Sequence, residues 1–451
     1  MINHQNPPID RLIVFGRYPV PGRTKTRLIP ALGPAGAADL QRQLTEKIAE
    51  TAEAFALGRG DNVELCFEGG SEQKMRRWLG PGLSLSRQAA GDLGTRIYAA
   101  FLTAFQSGCR RAVLIGTDIP ELRADHLRQA FDALSKNDLV IGPSRDGGYW
   151  LIGMNRPADL FKGIKWGSDA VFDQTLSLAK RQRLRVKTLT PLKDIDTAED
   201  LRQVLPGWAE KGPYVSVVIP ALNETMNIEA TIKSAMHEDA EIIVVDGGSI
   251  DNTVEIASSV GVRVIKSPRG RAVQQNLGAK AATGRVLLFL HADTILPTGY
   301  VNYIFEVLMD RKTIAGAFRF KTNLDDPVMK LIEFVANIRS RYLKLPYGDQ
   351  GLFILKSVFE SVGGFPEVPI AEDLYFLRRL SRYGRIKIAS AYALTSARRW
   401  QTLGLFRTTL INYIILIGCC LGVSSHVLAG LYKVPGTLHR PLDQSERENF
   451  G

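Results

Sequence analysis

Residues 285–294 read R-V-L-L-F-L-H-A-D-T, an apolar run too short to cross a bilayer that stops abruptly at His291-Ala292-Asp293. A parallel strand covered by helices on both faces has this pattern, with only its carboxyl end reaching solvent. Ligands of open α/β sheets bind at that end. Two earlier segments share the form: 241–249, E-I-I-V-V-D-G-G-S, and 214–224, Y-V-S-V-V-I-P-A-L-N-E. Taken singly, Glu224, Asp246 and Asp293 each read as a strand-end cap or turn residue. Taken together, three strands delivering three acids to one sheet edge predict a nucleotide site with a metal ligand in it.

The 451 residues exceed one ordinary core, so two α/β domains of about 200 residues each are expected. A hydrophobic content of 45 % and a charged content of 23 % are globular values. The formal charge of +11 favours anionic partners such as nucleotides or phospholipid headgroups. Nucleic acid is not expected, because the cations are dispersed and no zinc-finger spacing or aromatic RNA-binding motif accompanies them. Cys66, Cys109, Cys419 and Cys420 form no C-x-x-C pair, which argues against a disulfide framework and fits a reducing cytoplasm. Residues 1–10 lack the basic and apolar regions of a signal peptide and are expected to be disordered.

In the first half, the short strand 11–16 opens into R-Y-P-V-P-G-R-T-K-T-R-L at 17–28. Arg17, Arg23, Lys25 and Arg27 follow a strand end directly, and Gly22 permits close backbone approach, so the loop suits a phosphate chain. The P-loop spacing fails, and a solvated basic turn is the alternative. The run 111–122, R-A-V-L-I-G-T-D-I-P-E-L, is a buried strand ending in Asp118, with a helix expected from Pro120. Residues 138–153 read as a hairpin around Asp146-Gly147-Gly148. In 193–201, K-D-I-D-T-A-E-D-L, Thr197 is a helix cap and Asp196 precedes it. Asp118 and Asp196 are therefore candidates for a shared divalent cation, as transfer at a phosphate requires.

These four segments together resemble the GT-A-fold proteins similar to phospholactate guanylyltransferases (DUF2064-type), over residues 11–207. The resemblance implies a nucleotidyltransferase-like domain. Prolines and glycines in 205–213, L-P-G-W-A-E-K-G-P, mark a linker over 208–213. The second half then restarts the same plan. Its V-V-I-P-A-L-N-E, V-V-D-G-G-S-I-D-N-T, R-G-R-A-V-Q-Q-N-L-G-A, F-L-H-A-D-T, G-G-F-P and A-E-D-L-Y-F segments closely resemble family-2 glycosyltransferases of the GT-A fold, over 214–400.

That resemblance implies a nucleotide-sugar donor held by Glu224, Asp246, Arg271, Arg399 and Trp400, with Asp293 holding Mn2+ or Mg2+. His291 stands at the first position of the usual D-x-D metal motif and can ligate manganese or contact ribose. Asp373, beside Glu372, is implied as general base, since an acceptor hydroxyl needs a carboxylate to take its proton. Glu372-Asp373 also reads as an ordinary acidic first turn of a helix. Asp349, with Gln350 in Y-G-D-Q-G, is a candidate for acceptor binding or a rival base, and alternatively a loop turn.

Residues 408–425 carry no charge. Asn412, glycines and hydroxyl residues dilute the run, so 401–434 is expected to hold helices packed on the domain or lying at a membrane surface, followed by a polar tail over 435–451. The expectation is thus two tandem GT-A domains with a C-terminal helical segment: a cytoplasmic, metal-dependent, inverting glycosyltransferase with an unidentified acceptor, open to peripheral membrane association, fused to a domain that activates a sugar phosphate. In the alternatives, the first half is a non-catalytic nucleotide-binding or scaffold module, or the chain is mainly a nucleotidyltransferase.

Overall fold

The computed structural model describes residues 10–57, 62–209 and 212–432. Apolar runs become strands where both faces are covered, and each half folds around one mixed sheet. The first sheet is built from β1 (Asp10–Arg17), β2 (Asn62–Glu68), β3 (Ser84–Arg87), β4 (Arg111–Ile115), β5 (Leu139–Pro143), β6 (Tyr149–Met154) and β7 (Val186–Thr188). Its order is β3-β2-β1-β4-β6-β5-β7. The first four strands are parallel, and β6 runs against both β4 and β5.

The second sheet holds β8 (Val215–Ala221), β9 (Ala240–Asp246), β10 (Arg263–Lys266), β11 (Val286–Phe289), β12 (Thr294–Ile295), β13 (Thr313–Thr322), β14 (Leu352–Leu355) and β15 (Arg385–Thr395). Its order is β10-β9-β8-β11-β14-β13-β15-β12, with β14 antiparallel to β11. The leading blocks β3-β2-β1-β4 and β10-β9-β8-β11 have the same connectivity, so the repeated plan of the sequence is a repeated topology, and the molecule is α/β with two tandem sheets. In each block the first strand has neighbours leaving in opposite directions, which opens a crevice at its carboxyl end. Close helix-to-sheet approach supports that crevice. A Cβ on Gly278, in the helix Arg271–Ala281, would lie 2.3 Å from Val218 of β8.

The halves share a continuous core that includes Leu12 and Val14 of β1, Tyr214, and Val217 of β8. The long helix Ile29–Ala56 forms the seam. It kinks at Gly33 and Pro34, and the buried Asp239 accepts from the Ala35 N–H at 3.1 Å. Asp39 of this helix pairs with Arg285, whose guanidinium lies 4.7 Å from the Trp208 ring centroid. Arg311 reaches Glu50 at 3.3 Å, and Lys74 reaches Glu306 at 3.3 Å.

Three boundaries differ from expectation. Asp10 begins β1 and pairs with Arg111 at 2.5 Å, because a buried strand end needs its charge compensated. The helix after Asp118 starts at Ala124, four residues beyond Pro120, where Arg123 and His126 close its first turn. Trp208, expected in a linker, belongs to the short helix Pro206–Ala209 and packs into the seam. The C-terminal helices are Arg398–Leu403, Leu405–Cys420 and Ser425–Tyr432. No helix among the described residues is long and apolar enough to cross a membrane. Residues 1–9 and the expected tail 435–451 lie outside the described residues.

Candidate active site

A cavity of about 570 Å³ opens where β8 and β11 end. Glu224 enters it from the turn after β8. Its Oε1 accepts from Arg398 Nη2 at 2.8 Å, and its Oε2 accepts from Asn227 at 2.7 Å. Arg398 also stands 3.9 Å from Asp293 Oδ2, bridging the two acids. Burial and the nearby Glu224 charge raise the Asp293 carboxyl above the usual range. His291, at the same strand end, is pushed down to about 3 by burial and by Arg271, so its ring is neutral at working pH. Its Nε2 has no hydrogen-bond partner among the described residues.

The opposite wall begins at Gly348, in the single turn Gly348–Gln350 before β14. The Gly348 N–H donates to Asp373 Oδ2 at 2.8 Å, while the Leu374 N–H donates to Asp373 Oδ1 at 2.8 Å. Burial, then the adjacent Glu372, raises Asp373 to about 6. Asp349 is raised to about 7, chiefly by burial, and its Oδ1 has no hydrogen-bond partner among the described residues. A Cβ on Gly348 would lie 2.8 Å from His291 Nε2 and 3.4 Å from Asp373 Oδ2, so the backbone at this glycine fills the space between them. Arg271, Arg399 and Trp400 complete the lining. Burial and the charge of Arg271 lower the Arg399 guanidinium to about 10.

Several expected site residues lie elsewhere. Glu372 is buried, pairs with Arg271 at 3.3 Å and does not itself line the cavity, because it projects about 100° round the helix from Asp373. Asp246 accepts from the Gly248 and Ser249 N–H groups, so its carboxylate closes its own turn. Gln350 is fully buried and structural, bonded to the Phe318 carbonyl, Ser340 and the Tyr347 N–H. Tyr347 and Asn412 line the cavity without having been singled out from the sequence as site residues. Asn412 is the one amide in the charge-free run 408–425, and that was its signal.

In the first half, a cavity of about 420 Å³ collects Arg17, Lys25, Arg27, Arg96, Asp118 and Asp196. Lys25 Nζ stands 3.1 Å from Asp118 and 3.4 Å from Asp196, and Arg27 reaches Asp196 at 3.3 Å. Arg17 is paired with Glu68 at 2.7 Å, and Arg23 is exposed outside the cavity. Asp118 and Asp196 therefore share a buried ammonium, and a divalent cation does not fit between them as they stand. Around Asp293 the fit is better. A catalytic divalent cation commonly takes one or two carboxylates and completes its shell with phosphate and water. The Asp293 carboxylate beside a neutral imidazole whose Nε2 has no partner among the described residues supplies such a partial set. No three His, Cys, Asp or Glu side chains converge as a full metal cage among the described residues.

The family described as uncharacterized protein conserved in bacteria (DUF2064) matches residues 51–168, and glycosyl transferase family 2 matches 216–364. A PGL/p-HBAD biosynthesis glycosyltransferase of Mycobacterium tuberculosis is 37 % identical over 94 residues, which is 19 % of this chain and 37 % of the relative. The probable glycosyltransferase YdaM of Bacillus subtilis is 27 % identical over 211 residues, 40 % of this chain and 50 % of the relative. The chain thus spans no more than half the length of these curated relatives. A solved structure from Desulfovibrio desulfuricans G20, described as a candidate nucleotide-diphospho-sugar transferase, is 34 % identical, with 44 % of this chain and 86 % of that one covered and a TM-score of 0.41. This chain is a fusion of a DUF2064 domain with a family 2 glycosyltransferase domain.

Proposed function

We propose that the second domain transfers a sugar from a nucleoside diphosphate sugar to an acceptor hydroxyl with inversion at the anomeric carbon. One observation carries this reading. A cavity with a cation-accepting acid on one wall, Asp293, carries on the other two acids, Asp349 and Asp373, raised toward neutral pH. A general base works best with a pKa near the operating pH.

The donor diphosphate lies toward Arg271 and Arg399, whose mutual repulsion a bound anion relieves. A divalent cation on Asp293, with His291 as a neutral neighbour, would neutralise charge on the departing diphosphate. Asp373 takes the acceptor proton as the acceptor oxygen bonds to the anomeric carbon. The bond to the donor phosphate oxygen breaks, and its electron pair leaves with the nucleoside diphosphate. Asp349 shares a wall with Asp373 and holds the acceptor hydroxyl. Arg398 and Glu224 hold each other at the donor end, and Trp400 closes that wall.

For the first domain, the ammonium between Asp118 and Asp196 favours the nucleotide-binding or scaffold reading over nucleotidyl transfer. Nucleoside diphosphate release from UDP-, GDP- and ADP-sugars with manganese tests both parts. One donor is expected to turn over with the intact chain, Asp293→Asn is expected to abolish it, and Asp118→Ala is expected to leave it unchanged with no pyrophosphate formed. Turnover that survives Asp293→Asn would remove the second-domain reading. Pyrophosphate formation lost in Asp118→Ala would make the first domain a nucleotidyltransferase.

A further inference from the structure

The helix Leu405–Cys420 is apolar on both sides. Its inner side, with Ile415, Leu416 and Cys419, packs on Ala371 and Leu374 beside the catalytic wall. Its outer side, extended one residue past the helix, carries Phe406, Leu410, Ile414, Ile417 and Leu421 at helical spacing, 41–79 % exposed. The helix Pro327–Leu343 repeats the arrangement with Leu331, Phe334, Ile338 and Tyr342, 43–70 % exposed. The two helices meet over a cluster that includes Phe320, Met329, Trp400 and Leu405. Their outward stripes place nine exposed large apolar side chains on two neighbouring helices, a grouping of the kind that marks an interaction surface.

Charge selects the occupant. Helices 327–343 and 405–420 carry Lys330, Arg339, Arg341 and Arg407 against one acid, Glu333. Arg341, Lys344 and Arg407 are exposed at the ends of the two helices. The acid on the 327–343 helix, Glu333, is turned inward to Thr322 at 2.7 Å. A second copy on a two-fold axis would meet the same self-complementary patch and oppose like cations. Anionic headgroups would pair with those cations while the acyl boundary takes the apolar stripes.

The face also borders the cavity through shared lining residues, Tyr347, Asp349, Trp400 and Asn412. A crevice between the two helices, lined by Ile332, Ala336, Thr409 and Tyr413, ends at Asp349 and Trp400. We propose that the face of helices 327–343 and 405–420 seats on an anionic lipid bilayer, setting the mouth of the cavity at the lipid–water boundary. That an acceptor is met there rests on the transferase reading; lipid binding itself does not.

The test is sedimentation of the full chain with vesicles of equal parts phosphatidylcholine and phosphatidylglycerol. The chain is expected to sediment with these vesicles, to sediment far less with phosphatidylcholine alone, and to be released by high salt. The combined variant Phe406→Ser, Leu410→Gln, Ile417→Gln alters exposed positions and is expected to keep the wild-type melting temperature and donor turnover while losing vesicle binding. A wild-type chain that stays in solution with anionic vesicles would overturn the proposal. So would a concentration-dependent dimer dispersed by the same variant, which would assign the face to a second copy. Lost lipid binding with turnover intact and lost turnover with lipid binding intact are separate failures, so each proposal is judged on its own readout.

Discussion

Asp373 and Asp349 serve the proposed reaction at the expense of the fold. Both carboxyls sit above their ordinary pKa, at about 6 and about 7, so the folded state binds protons more tightly than the unfolded chain. The stability this contributes is complete below pH 4 and is lost as pH rises through 6 to 7. Asp349→Asn removes the cost of the buried charge, and we predict a gain of about 1–3 kcal/mol at pH 8 that shrinks toward zero at pH 4, measured by thermal melts at both pH values. The catalytic consequence has the opposite sign. A base must be unprotonated, so kcat/KM is predicted to fall below about pH 6, and Arg271→Gln, which removes a charge that lowers the Asp373 pKa, should move that limb to higher pH. Sequence pattern located these acids but could not divide their roles. Neighbours such as Glu372 and Asp373 project about 100° apart on one helical turn and find different partners, Arg271 and the Gly348 N–H, a difference of side-chain direction rather than of residue type.

Strands were legible because an apolar run ending in an acid is a local pattern, and β8, β9 and β11 appear where the runs end. Helix starts were less so: the first turn after Asp118 depends on the Arg123 N–H donating to the His126 ring, which no periodicity marks. The contribution of the 405–420 helix to the cavity through Asn412 and Ile415 is a long-range packing event, which the lone amide of a charge-free run hints at but does not locate. Glycines carry the sharpest element-scale predictions. Gly348→Ala is expected to push on His291 and Asp373 and reduce kcat about tenfold or more while circular dichroism stays unchanged. Gly33 has φ +70°, and a Cβ there would stand 2.0 Å from Asp239 Oδ1. Gly33→Ala is expected to cost about 1–3 kcal/mol from the backbone alone, read by denaturant unfolding.

At the scale of the whole molecule, the two sheets are joined by a packed seam, which the linker composition of 208–213 does not reveal. The sequence reading missed this because the seam is made by residues far apart in the chain, Asp39 with Arg285 and Ala35 with Asp239. Arg285→Ala leaves the buried Asp39 with Arg42 at 2.8 Å as its remaining cation. The loss is expected to be about 1–3 kcal/mol, less than the roughly 3–5 kcal/mol typical of a broken buried pair, and to appear as two separated unfolding transitions in calorimetry. In the proposed mechanism, donor binding and chemistry belong to different walls of one cavity, Asp293 on one and Asp373 on the other. Calorimetric donor binding set beside single-turnover transfer for Asp373→Asn tests it most directly. Donor affinity is expected to stay within about threefold of wild type while transfer slows by about 10²–10⁴. Undiminished transfer, or donor binding lost together with transfer, would contradict it.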